Sequence, residues 1–215
     1  VDGKRSIQVY LARMREALED YESVAGDTHP DSFAYFPFHT PYPGMVRKAA
    51  LLGYRHITRD TGIEEALSAD IGMQPRDADF DSREEYEDAI RAYMHDLKGT
   101  DRYQAWYDEA IDPTVDVSGQ VGNWYTGSVH LARLSALRAA AADGVDLAGQ
   151  RFLVGSYGSG AQAEIHAETV QEGWRDSVDP IGVDDQLADR YDISFEEYEH
   201  INDVHNHEKE VEVEA

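Results

Sequence analysis

The chain has 215 residues, 41% of them hydrophobic and none of them cysteine, which is enough for one large packed domain or half of a bigger one and excludes a disulfide scaffold or a thiolate zinc site. Its 43 acidic residues against 19 Lys and Arg give a net charge of −24, which repels nucleic acid and anionic membranes. With no run of about 18 consecutive apolar residues and no apolar core behind Val1-Asp2-Gly3-Lys4-Arg5, the expectation is a soluble, cytoplasmic protein.

Apolar residues Ile7, Tyr10, Leu11, Met14, Leu18 and Tyr21 recur at three- and four-residue steps and predict an amphipathic helix from Ser6 to about Val24. The aromatic run Phe33 to Phe38 reads as a short buried strand that ends at His39, because Pro41 and Pro43 stop ladder pairing. A helix entered from Pro43-Gly44 follows over Met45 to Gly53, with Met45, Ala49 and Leu52 inward. Asp77 to Asp96 is a second helical region: Ser82-Arg83-Glu84-Glu85 fits a capping box, and Tyr86, Ile90, Tyr93 and Leu97 form its stripe.

From Ser128, strong helix formers run to Ala142 and stop at Asp143-Gly144, which predicts a largely buried helix. Gln150 to Ser156 is a short apolar strand. Beyond it Ala161, Ala163, Ile165 and Ala167 alternate with Gln162, Glu164, His166 and Glu168, so a hairpin turning at Gly158-Ser159-Gly160 joins two strands. Phe195 to Asn206 reads as a short terminal helix and 207–215 as a charged, flexible tail. No repeat or Pro/Gly/Ser-rich linker divides 1–206, which reads as one domain.

The acids are spread along the chain, and lysine occurs only at Lys4, Lys48, Lys98 and Lys209. Aromatic content of 10% and clear periodicity argue against disorder. An acidic, lysine-poor surface adapted to high salt is the favoured reading, because screening weakens self-repulsion there. A folded protein with an acidic docking face competes with it.

Three islands, the first punctuated by proline and the other two by glycine, carry polar groups on tight turns: Phe36-Pro37-Phe38-His39-Thr40-Pro41-Tyr42, Gly122-Asn123-Trp124-Tyr125-Thr126-Gly127-Ser128 and Gly155-Ser156-Tyr157-Gly158-Ser159-Gly160. A histidine, an amide and a hydroxyl on turns that let a ligand approach the backbone can together bind a carbonyl and an acyl thioester. Each has a plainer reading. His39, at a strand end, is more often a hydrogen-bonded structural histidine; Asn123 serves equally as a turn or helix-entry residue; Ser159 can simply accompany a hairpin turn. Arg47 and Lys48 form a basic pair beside His39 that suits a CoA phosphate, with a surface salt bridge as the default. The remaining histidines have no metal-ligand spacing, so no metal is expected. The glycines of the third island are wrongly spaced for a dinucleotide loop, and a strand follows them instead of a helix.

In this order and spacing, Phe38-His39-Thr40-Pro41-Tyr42, Gly122-Asn123-Trp124-Tyr125-Thr126-Gly127-Ser128 and Ser156-Tyr157-Gly158-Ser159-Gly160 resemble motifs of the C-terminal half of the hydroxymethylglutaryl-CoA synthases. The resemblance covers nearly the whole chain and is weakest from Gly53 to Asp112 and at the tail. It implies an α/β, thiolase-like fold whose C-terminal half is a mixed five-stranded sheet flanked by helices, usually dimeric. It also implies that acetyl-CoA condenses with acetoacetyl-CoA to give HMG-CoA and CoA in the mevalonate pathway of isoprenoid synthesis. The family's nucleophilic cysteine and general acid/base glutamate would lie upstream of Val1, in an N-terminal half that is this chain's partner. By motif match His39 is the catalytic histidine; Asn123, Tyr125 and Ser159 contact substrate; Lys48 lies by the CoA. Gly44 departs from the family, many of whose members have another CoA-contacting lysine there. No cofactor is implied beyond the acyl-CoA substrates. Two alternatives stay open: another thiolase-fold condensing enzyme of the ketoacyl synthase type, and a non-catalytic acyl-CoA-binding subunit.

Overall fold

The computed structural model describes residues 3–158 and 160–213. The apolar stripe near the start becomes helix α1, Gly3–Ala25, with Tyr10, Met14 and Leu18 buried and Ile7, Leu11 and Tyr21 packed at the margin of the same core. Burying each such large side chain contributes roughly 1.5–3 kcal/mol. Helix α2, Pro43–Ile57, begins at a proline with φ already set for the first turn. It carries Met45, Val46, Ala49, Ala50, Tyr54 and Ile57 into that core and runs one turn past the sequence expectation.

Helix α3, Gly62–Ile71, is capped by Thr61, whose side chain accepts from the Ile63 N–H. Helix α4, Arg83–Lys98, is capped by Ser82 as its sequence predicts, the hydroxyl accepting from the Glu85 N–H at 3.2 Å. Helices α5, Asp101–Ala110, and α6, Asp112–Val121, follow almost without a break. They were not legible as separate helices, because Tyr103, Trp106 and Tyr107 give no clean period; the usable signals were the Thr100 cap and Pro113 in the first turn of α6. Helix α7, Ser128–Ala142, has the predicted bounds.

Strands β1, Arg151–Gly158, and β2, Gln162–Thr169, form the expected antiparallel hairpin. β1 is buried on both faces, which is why it reads as a continuous apolar run. Leu153 joins Ile165 of β2 and the α1, α2, α4 and α5 residues in one core, while Phe152 and Val154 pack with Val129, Ala136, Ala140 and Leu147 in a second. The hairpin is therefore a layer between α1 and α7. Helix α8, Trp174–Val178, closes the second core with Trp174.

Two expectations need correction. The described residues hold a two-stranded sheet, and the expected mixed five-stranded sheet is not found among them. The predicted strand at Phe33 to Phe38 is instead an extended segment that touches β1 through two isolated parallel bridges, Tyr35 with Phe152 and Phe38 with Gly155. Its bonding is still ladder-like: Ala34 N–H to Arg151 C=O, Leu153 N–H to Tyr35 C=O, Gly155 N–H to Pro37 C=O and His39 N–H to Gly155 C=O, at 2.7–3.1 Å. Pro37 has no N–H for the Leu153 carbonyl where a continuous parallel ladder requires one, so the strand is interrupted there.

Val1–Val178 forms one compact unit and Asp179–Ala215 another. The second contains α9, Val183–Ala188, and α10, Phe195–Val213. Ser194 starts α10 with a reciprocal cap, its Oγ accepting from Glu197 N–H at 3.1 Å and its N–H donating to the Glu197 carboxylate at 2.7 Å. The helix continues past Asn206 to Val213, longer than the sequence reading. Among the described residues no helix is long and apolar enough to cross a membrane.

Candidate functional site

His39 ends the extended segment, and its backbone is fixed from two sides. Its N–H donates to the Gly155 carbonyl at 2.7 Å and its own carbonyl accepts from the Tyr10 hydroxyl at 3.0 Å. The first island is thereby tied to the third and to α1. Gly155 is required at this crossing, because a Cβ there would lie 2.6 Å from Phe38 Cδ1.

The His39 side chain is only 5% exposed. Its Nδ1 lies 2.8 Å from the hydroxyl of Ser128, the first residue of α7, which is itself fully buried. The Tyr10 and Tyr157 rings flank it at centroid distances of 6.2 and 5.7 Å. Thr40 N–H donates to the same Ser128 oxygen at 3.0 Å. Burial holds the His39 pKa below the usual histidine range, so the imidazole is neutral near pH 7. Burial likewise pushes the Tyr10 phenol up, with the neighbouring Tyr157 adding to the effect, so Tyr10 remains a hydrogen-bond donor. Among the described residues Nε2 of His39 has no hydrogen-bond partner, which leaves it as the ring atom able to meet a ligand.

The middle island folds against the third. Gly122 ends α6 at φ +87, a conformation that strains residues with a Cβ. Asn123, exposed, accepts the Tyr125 N–H on Oδ1 at 2.9 Å, the turn role that was its plainer reading, and this leaves its amide nitrogen free to donate elsewhere. Tyr125 takes a positive φ of 49°, which is costly for an aromatic residue and so marks a turn held in place by its surroundings. Trp124 folds over Gly127, whose absent Cβ would stand 3.2 Å from the indole. Thr126 reaches Gly158, its methyl 3.8 Å from where a Cβ would be.

Of the residues singled out in the sequence, His39 is therefore buried at the meeting point of all three islands, and Asn123 and Tyr125 are on the turn leading to Ser128. Ser159 lies outside the described residues. Lys48 and Arg47 sit exposed on α2, and among the described residues Lys48 forms no ion pair. Gly44 has the Tyr42 ring against it, 3.0 Å from where a Cβ would lie. Sequence reasoning missed the parts played by Ser128, Tyr10 and Tyr157. Ser128 was visible as a motif member and helix-start residue, Tyr157 as a motif member and Tyr10 as one member of an apolar stripe, and none of these patterns reveals a partner across the fold.

A cleft of about 620 Å³ opens nearby, lined by Arg13 and Asp20 of α1 with Thr126, Ser156, Gly158 and Gln162. His39 does not line it. Burial, the Ser128 contact and the lowered pKa coincide instead at the His39 imidazole.

Residues 1–214 match the family described as hydroxymethylglutaryl-coenzyme A synthase C terminal. A hydroxymethylglutaryl-CoA synthase of Haloferax volcanii is 69% identical over 214 residues, spanning 100% of this chain and 48% of that protein. Hydroxymethylglutaryl-CoA synthase A of Dictyostelium discoideum is 28% identical over 91% of this chain and 39% of its own length. Among solved structures, MvaS in complex with 3-hydroxy-3-methylglutaryl coenzyme A superposes with a TM-score of 0.68 at 27% identity, over 93% of this chain and 43% of that one. The chain thus spans half or less of the length of the relatives it matches.

Proposed function

The chain belongs to the hydroxymethylglutaryl-CoA synthase C-terminal family, and on that premise we propose that it is the C-terminal part of an enzyme that condenses acetyl-CoA with acetoacetyl-CoA to give HMG-CoA and CoA. The acetylated cysteine and the general acid/base glutamate would come from the upstream half. Carbon–carbon bond formation converts the ketone oxygen of acetoacetyl-CoA into an alkoxide, and the Nε2–H of His39 donates to that oxygen as its charge develops. Hydrolysis of the cysteine thioester then releases the product.

The observation that carries this reading is the neutral, buried His39 held at once by the other two islands, through Gly155 and Ser128. A donor fixed before the reaction needs no reorganisation as the oxyanion forms. Asn123 and Ser159 would contact the acyl portion and Tyr125 the substrate, with Lys48 near the CoA phosphates. Trp124 and Tyr125, 58% and 75% exposed, are the surface the upstream half would cover. That half would also complete the mixed five-stranded sheet, and the whole enzyme would be a homodimer working in a high-salt cytoplasm.

Product analysis on the complete enzyme tests the reading. Acetyl-CoA with acetoacetyl-CoA should yield HMG-CoA, and a malonyl thioester should not be condensed. The reverse pattern would reassign the chain to a ketoacyl synthase type of condensing enzyme.

A further inference from the structure

We infer that Ser128 is the positioning residue that sets the tautomer of His39, with its hydroxyl donating to Nδ1 so that the ring proton sits on Nε2. The inference deepens the synthase reading and rests on it for its catalytic consequence, although the tautomer itself does not depend on any activity.

The argument is one of proton accounting. Among the described residues the Ser128 hydroxyl makes two contacts, the Thr40 N–H at 3.0 Å and His39 Nδ1 at 2.8 Å. An amide N–H can only donate, so the Ser128 oxygen accepts from Thr40 and one of its lone pairs is used. The hydroxyl carries one proton of its own. If it points at Nδ1, every group in the chain from Thr40 through Ser128 to His39 is satisfied. If instead Nδ1 carried the proton and donated to Ser128, the hydroxyl proton would be left without an acceptor at a side chain with no exposed surface, and such a buried unmade bond is disfavoured.

Among the described residues no charged group competes for the ring. Tyr10 and Tyr157, which flank the ring, are phenols, and Tyr10 already donates to the His39 carbonyl. Ser128 is also rigidly placed, since it opens α7 directly after the turn that carries Asn123 and Tyr125. The island that presents the turn to substrate therefore also fixes which nitrogen of His39 faces it. In this role Ser128 touches no substrate atom.

The test is nitrogen NMR of the complete enzyme with ¹⁵N-labelled histidine, the His39 signals being assigned by their loss in His39→Gln. The wild type should show a single Nε2–H tautomer, with the Nδ1 resonance displaced toward that of a hydrogen-bonded acceptor. Ser128→Ala should lose the displacement and mix the two tautomers, and Ser128→Thr, which keeps the hydroxyl, should restore the wild-type pattern. In parallel, Ser128→Ala should lower kcat by about tenfold to a hundredfold, as expected for a misplaced donor, with a smaller change in KM. An Nδ1–H tautomer in the wild type, or identical signals in the wild type and Ser128→Ala, would overturn the inference. If the wild type showed the Nε2–H pattern but made no HMG-CoA, the synthase reading would fail and the tautomer assignment would stand.

Discussion

Phe38 Cδ1 stands 2.6 Å from the point where a Cβ on Gly155 would lie, with Met14 of α1 closer still. The glycine lets the extended segment cross β1 near enough for the His39 N–H to reach the Gly155 carbonyl. Met14 can swing aside, but the Phe38 ring is wedged in the core. Gly155→Ala is therefore expected to destabilise the protein by about 1–3 kcal/mol, as overpacking does, visible as a lower denaturant midpoint. An unchanged midpoint would show that the crossing has slack.

Tyr10 holds the other side of His39. Tyr10→Phe keeps the ring packed but removes the donor to the His39 carbonyl, leaving a buried acceptor unpaired at a cost of about 1–3 kcal/mol. Chemical denaturation of the variant should read that loss, and a cost near zero would mean that water or another donor takes over.

Acid should act through His39. Its folded pKa lies below the ordinary histidine value because burial disfavours the charged form. In the unfolded chain the ring takes up a proton near pH 6.5. The contribution to stability is thus fully present above about pH 6.5 and is lost as pH falls through the folded pKa. Stability measured from pH 7 downward should fall more steeply in the wild type than in His39→Gln, and equal slopes would contradict the assigned burial effect.

Salt should stabilise the protein. At a net charge of −24 self-repulsion opposes the compact state, and at about 1 M salt the screening length shrinks to about 3 Å. The melting temperature should rise from low salt into the molar range. A flat response would favour an acidic docking face over adaptation to salt.

Periodicity located α1, which buries one regular stripe; helix formers stopped by Asp143-Gly144 located α7, and an apolar run, a glycine-rich turn and an alternating run located the hairpin. The Ser82 cap marked the start of α4 for a local reason that sequence carries directly. Pro37 hid in an aromatic run that looked like a strand; its missing N–H turned a ladder into two bridges. Three islands in order pointed to His39, but the contacts that define its state, from Tyr10, Ser128 and Gly155, join residues 29 to 116 positions apart. Such pairings depend on how α1, α7 and β1 pack, which no local pattern encodes.

The most direct test is acetoacetyl-CoA-dependent release of CoA from acetyl-CoA by the complete enzyme in high salt, wild type against His39→Ala. Loss of a donor aimed at the developing oxyanion should cost about 10²–10³ in kcat, with the variant still folded by circular dichroism. Undiminished turnover in a folded His39→Ala enzyme would contradict the account, because the residue on which all three islands converge would then have no part in the reaction.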